Sequence, residues 1–277
     1  MSKVNKFFDK VFVINLYDKT ARWNKVNSQL KRRKIKAERF IAVDGRCKDQ
    51  GKKGCIAKLK SFEIAYNLKI SIPNGTSLQE LVPASSLTIG TILLLRAMVK
   101  NKWKRILILE DDVELCRNFE KKFTQGINSM NKKKWDLLYL GCGNKCGHRD
   151  IGTYEDRSRK LNKISTVSKV LKESPEDSIY VRYKNDLRNP CEVVKCNAVT
   201  PNISRAPSPG GTWAYGITLA GARKVLKIIG KDVGVHIDQV YKDYCDTSKL
   251  NCVAFDPPVI WHQDGYFRTD TDIPWLD

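Results

Sequence analysis

Apolar residues in the first half of the chain come in short unbroken runs separated by stretches of helical period. Residues 10–16 (KVFVINL) are almost continuously apolar, the pattern of a parallel strand covered on both faces. Residues 20–34 follow with Trp23, Val26 and Leu30 at i, i+3 and i+7, which predicts a helix with Thr20 as its N-cap. The run AERFIAVDG then predicts a second strand, ending at Asp44-Gly45. Strand, helix and strand in that order open an α/β fold.

Further along, GKKGCIAKLKSFEIAYNLKI reads as a helix of its own. SIPNGTSLQELVPASS carries Pro73, Asn74-Gly75 and Pro83 and reads as a loop or short hairpin. A helix over 86–100 leads into the strand RILILE, and Phe119, Phe123, Ile127 and Met130 then share one face of an amphipathic helix. WDLLYLG is another buried strand. Residues 144–181 are polar, charged and poor in aromatics, and read as a loop insertion. A helix over 220–229 turns Leu219, Ala222, Val225, Leu226 and Ile229 inward. A shorter one at HIDQVYKDY puts Ile237, Val240, Tyr241 and Tyr244 on one face. The C-terminal FDPPVIWHQDGYFRTDTDIPW reads as irregular and aromatic-rich. No internal repeat is present, and a single domain over 1–277 is expected.

Composition narrows the class. At 277 residues with 42% apolar content, the chain buries a real core and is globular. No apolar run approaches the roughly 20 residues of a membrane span. The N-terminal apolar patch is interrupted by Asp9 and Lys10 and no small-residue cleavage site follows, so no signal peptide is read and a cytoplasmic location is expected. Free thiols are then the default for the nine Cys. Cys142, Cys146 and His148, with Cys191 and Cys196, match no zinc-module spacing. The net charge of +20 suggests an anionic partner: a phosphorylated donor, an anionic glycan or an anionic surface with which the protein associates peripherally. Its clusters (KRRKIK, KNKWKR, NKKKW) carry no DNA- or RNA-binding signature, so no specific nucleic acid is expected; a nucleic-acid-binding protein using this basic surface is the alternative class.

The chemistry concentrates in KRILILEDDVEL. Four apolar residues run straight into Glu110, Asp111 and Asp112. Ligands gather at the carboxyl ends of strands in parallel α/β sheets. Packed carboxylates repel and lose solvation, and a divalent cation such as Mg²⁺ or Mn²⁺ relieves both costs while keeping phosphate oxygens in its shell. ILILEDD therefore fits a metal–diphosphate site, against the plainer reading that these acids cap the next helix.

At these residues the sequence resembles glycosyltransferase family 25, which includes bacterial lipooligosaccharide and procollagen galactosyltransferases. The resemblance rests on VFVINLYDKTARWNKVNSQLKRRKIKAERFIAVDG, ILILEDDVEL, GGTWAYGITLAGARKVL, HIDQ and PPVIWHQD…TDI, in that order; 46–85 and 144–205 match poorly. Gly90-Thr91 stand where the family usually carries a Ser-His pair.

The resemblance implies a GT-A-like nucleotide-diphospho-sugar transferase fold with a mostly parallel central sheet. It also implies a UDP-sugar donor carrying galactose or glucose, a glycan, lipooligosaccharide or hydroxylated protein acceptor, Mn²⁺ (or Mg²⁺), and transfer with inversion. Glu110 and Asp112 are then the metal ligands, with His262 as a third. Asn15, Arg22, Asp44, Asp111 and Trp213 fall on the donor side, Arg22 being equally readable as a solvated helix charge. Trp213 and Tyr215 either stack on sugar or base or belong to the core. Inversion requires a base at the acceptor hydroxyl, and Asp238 is the candidate. The departure at Gly90-Thr91 also leaves room for a degenerate fold that binds sugar without transferring it.

Overall fold

The structure, a computed structural model, describes residues 1–47, 50–72, 75–116, 118–130, 134–145, 202–206, 208–234, 236–256 and 258–262. The predicted insertion at 144–181 lies outside these residues apart from the end of one strand. The elements are α1 (Lys3–Phe7), β1 (Lys10–Asn15), α2 (Thr20–Arg32), β2 (Glu38–Ile41), α3 (Gly51–Tyr66), α4 (Leu78–Asn101), β3 (Arg105–Glu110), β4 (Val113–Leu115) and α5 (Phe119–Ser129). Then come β5 (Leu137–Lys145), β6 (Asn202–Arg205), β7 (Ser208–Thr218), α6 (Leu219–Ile229), α7 (Ile237–Asp246), β8 (Cys252–Asp256) and β9 (Ile260–His262).

Seven strands form one sheet in the order β2-β1-β3-β7-β5-β8-β6, and β4 pairs with β9 in a small second sheet. Strand alternation divides the core into two layers. Phe12, Ile14, Ile106 and Ile108 face α3, α4, α6 and α7, while Val11, Val13, Leu107 and Leu109 face α1, α2 and α5. The expected α/β fold is present. Its sheet is more mixed than expected: β2, β1, β3, β5 and β8 point one way, while β7 and β6 run against their neighbours. β7 is covered on both faces, with Ala214 in one layer and Tyr215 and Ile217 in the other, so its apolar run carries no mark of its direction.

Three local expectations are corrected. Thr20 is the first helical residue of α2; Lys19 holds the cap position and makes no side-chain capping bond. Residues 78–85 are helical, not loop. The Ser77 hydroxyl accepts from Gln79 N and caps α4, and buried Leu81, Val82 and Ala84 hold Pro83 inside it. The C-terminal segment, expected to be irregular from Phe255 on, supplies the end of β8 and all of β9. By length and composition α4 could cross a membrane, but 67% of its apolar window is buried inside the fold.

The free-thiol expectation is also overturned. Cys47–Cys55 and Cys245–Cys252 are disulfides, Cys142 is disulfide-bonded as well, and Cys116 is a buried free thiol. The first bridge ties the segment after β2 to α3, and the second ties the end of α7 to the start of β8. Each closes a short loop, a constraint of about 2–3 kcal/mol against the unfolded chain. The bridges are at odds with the reduced thiols that a cytoplasmic location implied.

Two glycines mark close approaches near the sheet's carboxyl edge. A Cβ on Gly45 would sit 2.6 Å from Pro83 Cα, so the Asp44-Gly45 pair is what lets α4 lie against the end of β2. At Gly141 a Cβ would fall 1.9 Å from the Ile260 carbonyl oxygen and 2.6 Å from Trp213 Nε1. The bare backbone there lets β9 and the indole close over β5.

Candidate functional site

β1 and β3 run parallel with Val13 beside Leu109 and Ile14 beside Glu110, so both strands deliver their last side chains to one edge. Alternation then separates the acids. Glu110 continues the Ile106/Ile108 face, and Asp111 continues the Leu107/Leu109 face, where Asn15 is its neighbour.

Asp111 is satisfied by protein. Asn15, only 2% exposed, donates through Nδ2 to Asp111 Oδ2 at 2.5 Å and to the Lys19 carbonyl at 2.9 Å. Arg22 Nη1 lies 3.5 Å from Asp111 Oδ1, the two side chains being 13% and 11% exposed. Arg22 is therefore no solvated helix charge. Arg39 Nε donates to Asn15 Oδ1 at 2.7 Å, and its Nη2 donates to the carbonyls of Leu16 and Tyr17. The repulsion expected among three adjacent carboxylates is thus relieved at Asp111 by a guanidinium and an amide.

On the opposite face Glu110 Oε1 accepts from the Thr212 hydroxyl at 3.0 Å. Asp112 is buried in the turn before β4. β9 pairs antiparallel with β4 and sets the backbone of His262 opposite Val113, next in sequence to Asp112. The His262 side chain lies outside the described residues. Among the described residues no three His, Cys, Asp or Glu side chains converge into a ready cation cage. Glu110 and Asp112 nevertheless offer the hard carboxylate oxygens that Mn²⁺ or Mg²⁺ takes. Such a set suits a cation that completes its shell with diphosphate oxygens and water.

Asp44 sits beyond the end of β2, next to the loop that follows β1. Arg46 binds its carboxylate through Nη2 at 2.8 Å and through Nε at 3.0 Å, and reaches Asp18 at 2.7 and 2.9 Å. Lys58 Nζ lies 3.8 Å from Asp44. The Arg46 hydrogen bond, opposed in part by burial, holds the Asp44 carboxyl down to about 2; Arg46 is raised in turn, and Asp18 is lowered chiefly by the same guanidinium. Tyr17 projects beside this rim, 77% exposed.

Trp213 is half-buried, its indole against Gly141 and Gly211. Tyr215 is core: it lies beneath the site, with Tyr139 and Tyr241 around it. Asp238 stands in the first turn of α7, where its Oδ1 accepts from Gln239 N at 2.9 Å and lies 4.0 Å from His236 Nδ1. Of the zinc candidates, Cys142 is in a disulfide, and Cys146, His148, Cys191 and Cys196 lie outside the described residues.

Pattern reading missed Asp18, Arg39, Arg46 and Thr212. Arg39 was hidden in a short strand and Arg46 in a loop. Asp18 and Arg39 stand inside the opening segment that carries the resemblance, and Thr212 stands one residue before Trp213 in GGTWAY; only Arg46 lies outside the quoted motifs.

A family model described as glycosyltransferase family 25 (LPS biosynthesis protein) matches residues 8–241, a span running from before β1 into α7 and including every candidate residue except His262. No curated protein matches the chain.

Proposed function

The chain belongs to glycosyltransferase family 25, and from that premise we propose that it moves a hexose, galactose or glucose, from a UDP-sugar to a hydroxyl of a glycan, lipooligosaccharide or protein, with inversion. The observation that carries this reading is the sheet edge. Glu110 and Asp112 lie there beside an Asn15–Asp111–Arg22–Arg39 network, with Asp44 in the segment just beyond the neighbouring strand β2.

In this reading Glu110 and Asp112 hold Mn²⁺ or Mg²⁺, His262 being a further candidate. When bound, the cation supplies charge stabilisation to the departing diphosphate. Asn15, Arg22, Arg39 and Asp111 form a rigid floor, because each side chain is held by another before any ligand arrives. Asp44, already ionised and fixed by Arg46, turns its remaining lone pairs toward the nucleoside. Trp213 lines the sugar side. Asp238 takes the proton of the acceptor hydroxyl as that oxygen attacks the anomeric carbon from the face opposite UDP.

The test is a UDP-sugar hydrolysis screen with and without Mn²⁺. One UDP-hexose should turn over, and a chelator should abolish the turnover. Binding of UDP-sugars with no turnover of any would overturn the transferase reading in favour of a sugar-binding module.

We also infer an oxidising working environment for the chain, on the strength of its bridges. The basic surface would suit association with anionic membranes or glycans there. Thiol titration of the denatured, unreduced protein should leave Cys47, Cys55, Cys245 and Cys252 unreactive; alkylation of all four in protein taken directly from its native source would place it in a reducing compartment.

A further inference from the structure

Beneath the site three tyrosines from three elements meet in the core. Tyr139 of β5 and Tyr215 of β7 are cross-strand partners with ring centroids 6.2 Å apart, and Tyr241 of α7 meets Tyr215 edge-on at 5.3 Å. Two of the three hydroxyls are bonded: Tyr241 O–H donates to Tyr215 Oη at 3.4 Å, and Thr91 of α4 also hydrogen-bonds Tyr215. The third is different. Tyr139 is 1% exposed, and its hydroxyl, fully buried, has no hydrogen-bond partner among the described residues.

An orphan hydroxyl in a packed core forfeits hydration without return, and phenylalanine would fill the same space without that loss. A functional partner would account for tyrosine here. The candidate is Asp238, which stands three residues before Tyr241 on the adjoining turn of the same helix, Tyr241 packing on the Tyr215 ring that pairs with Tyr139. Burial raises Tyr139 well above the usual tyrosine range, and the neighbouring Tyr215 and the negative charge of Asp238 push it further the same way. Asp238 gives Oδ1 to its own helix through Gln239 N, which leaves Oδ2 for a second donor. Its side chain is 34% exposed and has room to turn.

We propose that Tyr139 is a positioning residue for transfer: its hydroxyl donates to the Asp238 carboxylate once the site is occupied and holds that carboxylate toward the acceptor oxygen. The proposal rests on Asp238 being the base. Tyr215 and Tyr241, bonded to each other, are then the fixed wall against which the Tyr139 ring is held at one angle.

The test uses the full chain, with hydrolysis of UDP-galactose or UDP-glucose as the readout, water standing in for the acceptor. Tyr139→Phe should keep or raise Tm and leave UDP–Mn²⁺ affinity within about twofold. It should lower kcat about 10- to 100-fold at unchanged KM. In the double variant with Asp238→Asn the loss should be no greater than for Asp238→Asn alone. Wild-type kcat in Tyr139→Phe, while Asp238→Asn is slow, overturns this proposal and leaves the base assignment standing. A lower Tm with unchanged kcat also overturns it, since the hydroxyl would then be structural. Additive losses in the double variant would do the same. Wild-type kcat in Asp238→Asn overturns the base assignment itself, and this proposal with it.

Discussion

Asp112→Asn should lower cation-dependent turnover of the UDP-sugar by about 10²–10³-fold, the rate equivalent of the several kcal/mol a bound cation supplies to a departing diphosphate. Asp112 is buried in the turn directly after β3, next to a second acid that already has its own cation in Arg22. Removing its charge relieves desolvation and repulsion, so the fold should hold or gain stability while the site loses an anionic ligand. Added Mn²⁺ should partly restore the rate, because a weakened site is filled by mass action. The check is hydrolysis of the UDP-sugar across a Mn²⁺ titration, with Tm measured alongside. A wild-type rate at every Mn²⁺ concentration would remove Asp112 from the site.

Asp238→Asn should leave UDP binding near wild type and reduce transfer by about 10²-fold or more. Its carboxylate lies at the N-terminal turn of α7, where backbone N–H groups point toward the anion, and it accepts from one of them. That placement suits a base that acts on an acceptor without touching the nucleotide. Calorimetry with UDP and Mn²⁺, paired with transfer or hydrolysis rates, separates the roles. Loss of UDP affinity in proportion to loss of rate would make Asp238 a donor-side residue, and an undiminished rate would exclude it from catalysis.

Much of the frame was legible. Continuous apolar runs announced β1, β3 and β5, and periodicity announced α2, α5, α6 and α7, because each must bury a face or both faces to exist at all. The edge carrying the candidate site was equally legible, since an apolar strand that ends in acids delivers those acids to its carboxyl end. Pro83 misled because proline in isolation signals a break, whereas α4 tolerates it amid buried Leu81, Val82 and Ala84. The bridges escaped pattern reading because a disulfide requires two cysteines brought close in space, and spacing along the chain does not say which of nine will meet.

By itself, then, the sequence determined the α/β layering, the family and the acidic strand end, all properties of local pattern and order. What only the tertiary structure decided is which partner each acid meets. Asp111 is met by Asn15 and Arg22, 96 and 89 residues distant in the chain, and Glu110 by Thr212, 102 residues away. The direction of β7, the meeting of Tyr139 with Tyr215 and Tyr241, and the approach of His262 to Val113 belong to the same class. The physical reason is common to all of them. Periodicity states which face a residue turns to, whereas the neighbour waiting on that face is set by sheet order and by connections between strands, which local hydrophobic pattern does not encode.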